Sequence, residues 1–259
     1  NKDLGPMIRS LFIPEDGCVW GCFDYNQQEP RLVVHFAATT AGIKEDPSVK
    51  EIVDNYSNND IDFHKTVADM AGISRLQAKT INLGLFYGMG KAKLQAELGL
   101  STKQEAEELF NQYHDRVPFV RDLMNETSRW ASREGEIRTL LGRGCRFNKW
   151  EPAQFGMHTP MTWEDAMKKY GENRIRRAFT YKALNKLIQG SAADMTKKAM
   201  VELYKADIIP HIQIHDELDI SIKDDKEAEQ IVDIMESAVK LEVPNKVDYE
   251  SGENWGQIH

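Results

Sequence analysis

Two short alternating runs, His211-Ile212-Gln213-Ile214 and Leu218-Asp219-Ile220-Ser221-Ile222, flank His215-Asp216-Glu217. A period of two is the pattern of a strand with one buried face, so this stretch predicts a β-hairpin with carboxylates at its tip. Near the other end of the chain, Val19-Trp20-Gly21-Cys22-Phe23 reads as a strand that stops at Asp24. Strands at the two ends with helical patterns between them predict an α+β fold, an antiparallel sheet with a large helical insertion.

The segments between fill in that plan. A helix follows Asp24, with Pro30 in its first turn, Leu32, Val33, Phe36 and Ala37 on one face, and Gly42 as its stop. Lys44 to Asp60 is polar and acidic and reads as loop-rich. Phe63 to Leu98 reads as mainly helical, and Thr102 to Trp130 as helical with Pro118 at a helix start or kink. Asn148 to Pro160 reads as an irregular loop, and Thr162 as the cap of a short helix through Tyr170. Arg174 to Lys205 predicts a long helix, and about Lys226 to Lys240 a last amphipathic one. No internal repeat is visible.

With 259 residues, 41% of them hydrophobic, the chain can bury a sizeable core as one large domain or two smaller ones. No stretch approaches the roughly 20 uninterrupted apolar residues of a membrane helix. Asn1 to Pro6 lacks the layout of a signal peptide. Three cysteines, Cys18, Cys22 and Cys145, argue by number and spacing against a disulfide scaffold or a zinc site. A reduced, cytoplasmic compartment, bacterial or that of a phage-infected host, is the expectation. The formal charge of −8 argues by itself against a nucleic-acid binder. Its distribution reverses that: Arg174 to Lys198 carries seven basic residues and one acidic, whereas Glu45 to Asp62 carries six acidic and one Lys. An acidic exterior is compatible with a locally positive groove, because screening makes nearby charge count most.

Three segments carry chemistry. Asp24-Tyr25-Asn26-Gln27-Gln28-Glu29-Pro30-Arg31 places a carboxylate at a strand end, and Asp216 stands at the hairpin turn. Each Asp alone reads equally as a turn or capping residue. Brought within about 4 Å, two carboxylates repel, and two Mg²⁺ ions about 3.5–4 Å apart can hold such a pair and activate phosphate oxygens. The third segment runs from Arg75 to Gly88. Residues four apart drift by about 40° around a helix, so Arg75, Lys79, Leu83 and Tyr87 wind along one face. Its cationic end suits a triphosphate and its apolar end a nucleobase. Two surface cations and two core residues would give the same pattern but leave Gly84 and Gly88 unexplained, each costing about 1 kcal/mol inside a helix.

In their order these segments resemble motifs A, B and C of the family A, bacterial polymerase I-like DNA polymerases. Asp62-Phe63-His64, Arg138-Thr139-Leu140-Leu141-Gly142-Arg143 and Asn185 through Gln189-Gly190-Ser191-Ala192-Ala193-Asp194 match the family as well, so the resemblance covers nearly the whole chain. It implies a right-hand polymerase fold without its thumb: palm at residues 1–37 and 174–259, fingers at 38–173. It implies that Asp24 and Asp216, with the Tyr25 carbonyl, hold two Mg²⁺ ions, with Mn²⁺ as a substitute, and that Glu217 supports them. His64, Arg75, Lys79, Gln27, Glu29, Leu83 and Tyr87 would meet the incoming dNTP. Lys79 would protonate departing pyrophosphate, and Glu29 would exclude ribonucleotides and pair with the Tyr87 hydroxyl. Asn185, Gln189, His215 and Arg31 would touch the DNA template–primer.

The departures are specific. Leu83 stands where family members commonly carry Phe or Tyr, which predicts poor use of dideoxynucleotides. Pro30 replaces an aliphatic residue, and Tyr181 an Arg that contacts DNA in bacterial relatives. The stretch between His64 and Arg75 is short, and Lys149 to Asn173 looks like an addition, both suggestive of a phage or other divergent lineage. The family's thumb, and often an exonuclease, lie upstream of motif A, so a fragment or one piece of a split polymerase is expected, working with that upstream region and with no membrane. The competing readings are a non-catalytic template–primer-binding or nucleotide-binding piece and a two-metal nuclease. The face from Arg75 to Tyr87 disfavours the nuclease.

Overall fold

The computed structural model describes residues 4–58, 61–86, 91–154, 156 and 158–258. In chain order, α1 (Leu4–Arg9) precedes β1 (Val19–Tyr25) and α2 (Gln28–Thr39). Helices α3 (Pro47–Asn58), α4 (Phe63–Ala71), α5 (Arg75–Phe86), α6 (Lys91–Glu97), α7 (Lys103–Arg116) and α8 (Pro118–Glu134) follow. Short strands β2 (Glu136–Arg138), β3 (Gly144–Arg146) and β4 (Trp150–Pro152) lead to α9 (Trp163–Tyr170) and β5 (Ile175–Arg177). The chain closes with α10 (Ala183–Lys205), β6 (Ile212–Ile214), β7 (Glu217–Ile222), α11 (Asp225–Ser237) and β8 (Val247–Gly252). The α+β class with an antiparallel sheet built from both ends of the chain is the fold observed. Among the described residues no helix is long and apolar enough to cross a membrane.

The chain divides into two units, residues 1–32 with 192–259, and residues 33–191. The first holds a four-stranded antiparallel sheet in the order β6-β7-β1-β8. Residues directly opposite in adjacent strands share a face. One face therefore carries Phe23, Tyr25, Leu218, Ile220, Ile222 and Val247, all buried, and α11 packs on the sheet through β7 and β8. The buried α11 residues Ala228, Ile231 and Met235 recur at helical spacing, and Asp224 caps the helix by accepting from Glu227 N. The opposite face carries Trp20, Cys22, Asp24, Glu217 and Asp219.

The second unit is mostly helical. Its caps follow from sequence: Asp62, Thr102 and Thr162 each accept from the backbone N–H three residues on, and Pro118 opens α8, where its missing N–H costs nothing. Ala131, Ile137, Phe147, Ala183 and Leu187 form one buried cluster of this unit.

Three expectations are corrected. Residues 44–60 hold α3, whose Val49, Ile52 and Tyr56 bury one face behind an acidic exterior. Within 148–160, β4 pairs with β5. The stretch from Arg174 is not continuously helical; α10 begins only at Ala183. Arg176 donates to Glu151 Oε1 at 2.9 Å, and the Arg177 guanidinium lies 4.6 Å from the Trp150 ring centroid. These cross-strand pairs, joining residues on both sides of position 173, hold 175–177 extended, and Phe179 at φ 65° breaks the chain direction before α10.

Candidate active site

In the sheet unit the ladder sets the positions. Asp24, at the end of β1, lies opposite Glu217 on β7 and Asp248 on β8, so three carboxylates form one row across the sheet. Asp216 stands beside Glu217 in a two-residue turn whose first residue, His215, has φ 52°. Positive φ at that position matches the strand twist in tight hairpins. The Asp216 carbonyl accepts from Tyr25 N at 3.4 Å, which binds the turn to the end of β1. Tyr25 itself is anchored: its hydroxyl donates to Met235 O at 2.6 Å. Burial lifts the Asp216 carboxyl above the ordinary range, only partly offset by its own backbone N–H and the His215 charge. Among the described residues no Lys or Arg forms an ion pair with Asp216. Neighbouring carboxylates that offer oxygen donors only suit a hard divalent cation.

Asp248 escaped the sequence reading. The signal was the alternation Val247-Asp248-Tyr249-Glu250, a strand pattern at the very end of the chain. Its carboxylate accepts from Asn26 Nδ2 at 2.8 Å. Gln27, at φ 52°, turns the chain from β1 into α2 and donates to Asn26 Oδ1. Glu29 lies in the first turn of α2. Arg31 is 4% exposed and donates to Asn26 O at 2.7 Å and Pro244 O at 2.6 Å, so here it clamps two loops of the sheet unit together. His215 is exposed.

In the helical unit, side-chain relays set the positions. Ser74 and Gln77 exchange hydrogen bonds at the start of α5, a reciprocal cap that fixes where the helix begins. Asp62 caps α4 through Lys65 N and accepts from Arg75 Nε at 2.8 Å. Burial pushes the Asp62 carboxyl up, but the Arg75 hydrogen bonds, the Lys65 N–H and the Arg75 and His64 charges outweigh it and leave it below the usual range. Asn82, fully buried, accepts from the Tyr113 hydroxyl at Oδ1, 2.5 Å away, and lies 3.1 Å from His64 Nδ1 through Nδ2. With Oδ1 taken by Tyr113, the amide donates, so His64 accepts at Nδ1 and carries its proton on Nε2. Burial holds the His64 pKa down, the Asp62 charge opposes, and the Arg75 and Lys79 charges push it down further. Asn82 and Tyr113 were missed because a polar residue on an apolar helix face gives no sequence signal of its partner.

Arg75 and Lys79 are exposed and Leu83 is half-buried along α5. Tyr87 and Gly88, and with them the expected Glu29–Tyr87 pair, lie outside the described residues. On α10, Asn185 is half-buried and Gln189 exposed. Gly190 lies against the 139–143 turn: a Cβ there would meet Thr139 Cγ2 at 2.7 Å, and its carbonyl accepts from Arg143 Nη2 at 2.8 Å. Ser191 Oγ accepts from Leu140 N at 2.9 Å. Two segments that match the family in sequence thus dock on one another.

Sheet and helices together define an α+β protein with an acidic row at a sheet end and a cation-led helix in its insertion. The model of DNA polymerase family A matches residues 1–257, and the chain belongs to that family. It is 36% identical to a DNA-directed DNA polymerase of Pseudomonas phage M6, over 98% of this chain and 40% of that protein. It is 32% identical to DNA polymerase I of Caldicellulosiruptor bescii, over 98% of this chain and 28% of that one. Among solved structures, the POL domain of Pol1 from M. smegmatis, in complex with DNA primer-template and dNTP, superposes with a TM-score of 0.75 at 27% identity. That match covers 99% of this chain and 43% of the other. The chain thus spans less than half the length of these relatives.

Proposed function

We propose that the chain is the palm (residues 1–37 and 174–259) and fingers (38–173) of a template-directed DNA polymerase, extending a primer 3′-hydroxyl with dNTPs. The observation that carries the reading is the acidic row of Asp24 with Glu217, next to Asp216, in a chain that matches the family along its length. Asp24, Asp216 and the Tyr25 carbonyl would hold two Mg²⁺ ions, with Glu217 in support. When bound, these ions supply Lewis-acid stabilisation of the attacking and leaving oxygens.

The chain's own residues do the rest. Tyr25, anchored at its hydroxyl, keeps its carbonyl in register with Asp24. His64 offers Nε2–H to a phosphate oxygen because Asn82 occupies Nδ1. Arg75 exchanges Asp62 for a phosphate, a fork-shaped donor moving from one anion to another. Lys79 gives its proton to pyrophosphate as it leaves. Glu29 fills the space beside the sugar 2′ position. Asn185, Gln189 and His215 contact the template–primer, Arg31 holds together the two loops it clamps, and Gln27 and Leu83 border the nucleotide. An upstream thumb-bearing region, in the same or a second chain, would complete the grip on DNA.

The test is extension of a labelled primer on a DNA template by this chain, with Mg²⁺ and dNTPs and with Asp216→Ala as control. Extension lost in the variant is expected. Template–primer binding without extension would instead support the binding-fragment reading, in which turnover needs the upstream region.

A further inference from the structure

Two residues along the strands from the acidic row, the sheet buries a second polar group. Cys22 and Asp219 are register partners on β1 and β7. Asp219 is fully buried. Its Oδ1 accepts from Cys22 Sγ at 2.7 Å and from Trp20 Nε1 at 3.1 Å. Its Oδ2 is buried with no hydrogen-bond partner. Among the described residues no basic side chain pairs with Asp219. A buried carboxylate oxygen without a donor is costly, and buried charges are otherwise paired or bound to metal.

A third ligand atom is at hand. One ligand atom each from Cys22, Glu217 and Asp219 lie within 4.8 Å of one another. Ligands of a tetrahedral ion at about 2.0–2.3 Å stand roughly 3.3–3.8 Å apart, so Cys22 Sγ and Asp219 Oδ1, 2.7 Å apart here, part by side-chain rotation on binding. We propose that Cys22, Glu217 and Asp219 form a site for one thiophilic divalent cation of the Zn²⁺ class, with water at the fourth position. The sulfur ligand separates it in kind from the oxygen-only set of Asp24 and Asp216, which favours Mg²⁺. On binding, the Cys22 S–H bond breaks, its proton passes to solvent, and a sulfur–metal bond replaces the S–H···Oδ1 hydrogen bond. A thiol must lose its proton to bind a metal, so uptake releases about one proton. Cysteine spacing gave no warning, because the ligands come from two strands at opposite ends of the chain.

The test is a titration of metal-free protein with Co²⁺, read as thiolate-to-cobalt charge-transfer absorption in the near ultraviolet and reversed by Zn²⁺. One Co²⁺ per chain is expected in that band. Cys22→Ser, which preserves size, should abolish it, and Asp219→Asn should weaken Co²⁺ binding about tenfold or more, since ligand-shell losses cost that much. Asp24→Ala should retain the band. No band in the native protein would overturn the proposal. So would a band that survives Cys22→Ser, which would report Cys18 or Cys145, or one that vanishes in Asp24→Ala.

Discussion

At the sheet end, Asp24, Glu217 and Asp248 are placed by backbone register, whereas His64 on α4 and Arg75 at the start of α5 are placed by side-chain hydrogen bonds running to Asn82, Tyr113 and Asp62. A ladder position survives the loss of any one side chain, because the strands on either side still pair. A relay does not: removing one member leaves the next without its partner. The sheet end should therefore separate activity from stability, and the relay should couple them.

The largest effect tests the first half. Asp216→Ala should lower primer extension by roughly 10³-fold or more, on the scale of losing a key electrostatic group. Its melting temperature should hold or rise, because burial already disfavours the Asp216 charge. Melting by circular dichroism beside single-turnover extension checks this, and a variant that loses both would break the contrast. Next in size is Leu83→Tyr at the half-buried Leu83 of α5. The added ring and hydroxyl should raise the use of ddTTP relative to dTTP by about tenfold or more, as a hydroxyl that gains a polar partner discriminates strongly. Equal ratios in native and variant proteins would remove Leu83 from nucleotide selection.

A smaller effect tests the relay. Tyr113→Phe leaves Asn82 Oδ1 buried without its donor, which should cost about 1–3 kcal/mol of stability. The freed amide can then turn, so nucleotide affinity should fall with stability. In a cycle with His64→Ala the two losses should be non-additive by about 0.5 kcal/mol or more. Strict additivity would mean that Tyr113 supports the fold without reaching His64.

The same division explains what was legible in the sequence. The hairpin around Asp216 and the strand ending at Asp24 were readable because alternation and turn chemistry are local. So were the cap at Thr162 and the helix start at Pro118. Helix α3 was not, because Val49, Ile52 and Tyr56 sit among acidic residues that make the stretch look like a loop. The break before α10 was hidden because Arg176 and Arg177 are held extended by Glu151 and Trp150, about 25 residues earlier in the chain. The charged residues of the site could be matched to the family one by one. Their supports, Asp248, Asn82 and Tyr113, could not, because a partner's identity is a property of packing.

The smallest expected effect is one of pH, and it isolates His64. Its folded-state pKa lies below the ordinary value near 6.5, chiefly through burial. A depressed pKa means that the unfolded chain binds the proton first. The contribution of neutral His64 is present above the unfolded pKa and is lost as pH falls through the folded one. Asp62 is depressed too, but from 3.8, so its contribution is lost only in a more acidic window. Between about pH 7.5 and 5.5 the fall in melting temperature should therefore be smaller in His64→Gln than in the native protein. Nucleotide binding should show the opposite linkage. A triphosphate near Nε2 raises the His64 pKa, so binding takes up protons and tightens as pH falls toward the ordinary His range. Calorimetry of dNTP binding in buffers of different ionisation enthalpy reads that uptake directly. Proton release, or none, would place His64 away from the phosphates and leave Arg75 and Lys79 as the whole of the cationic face.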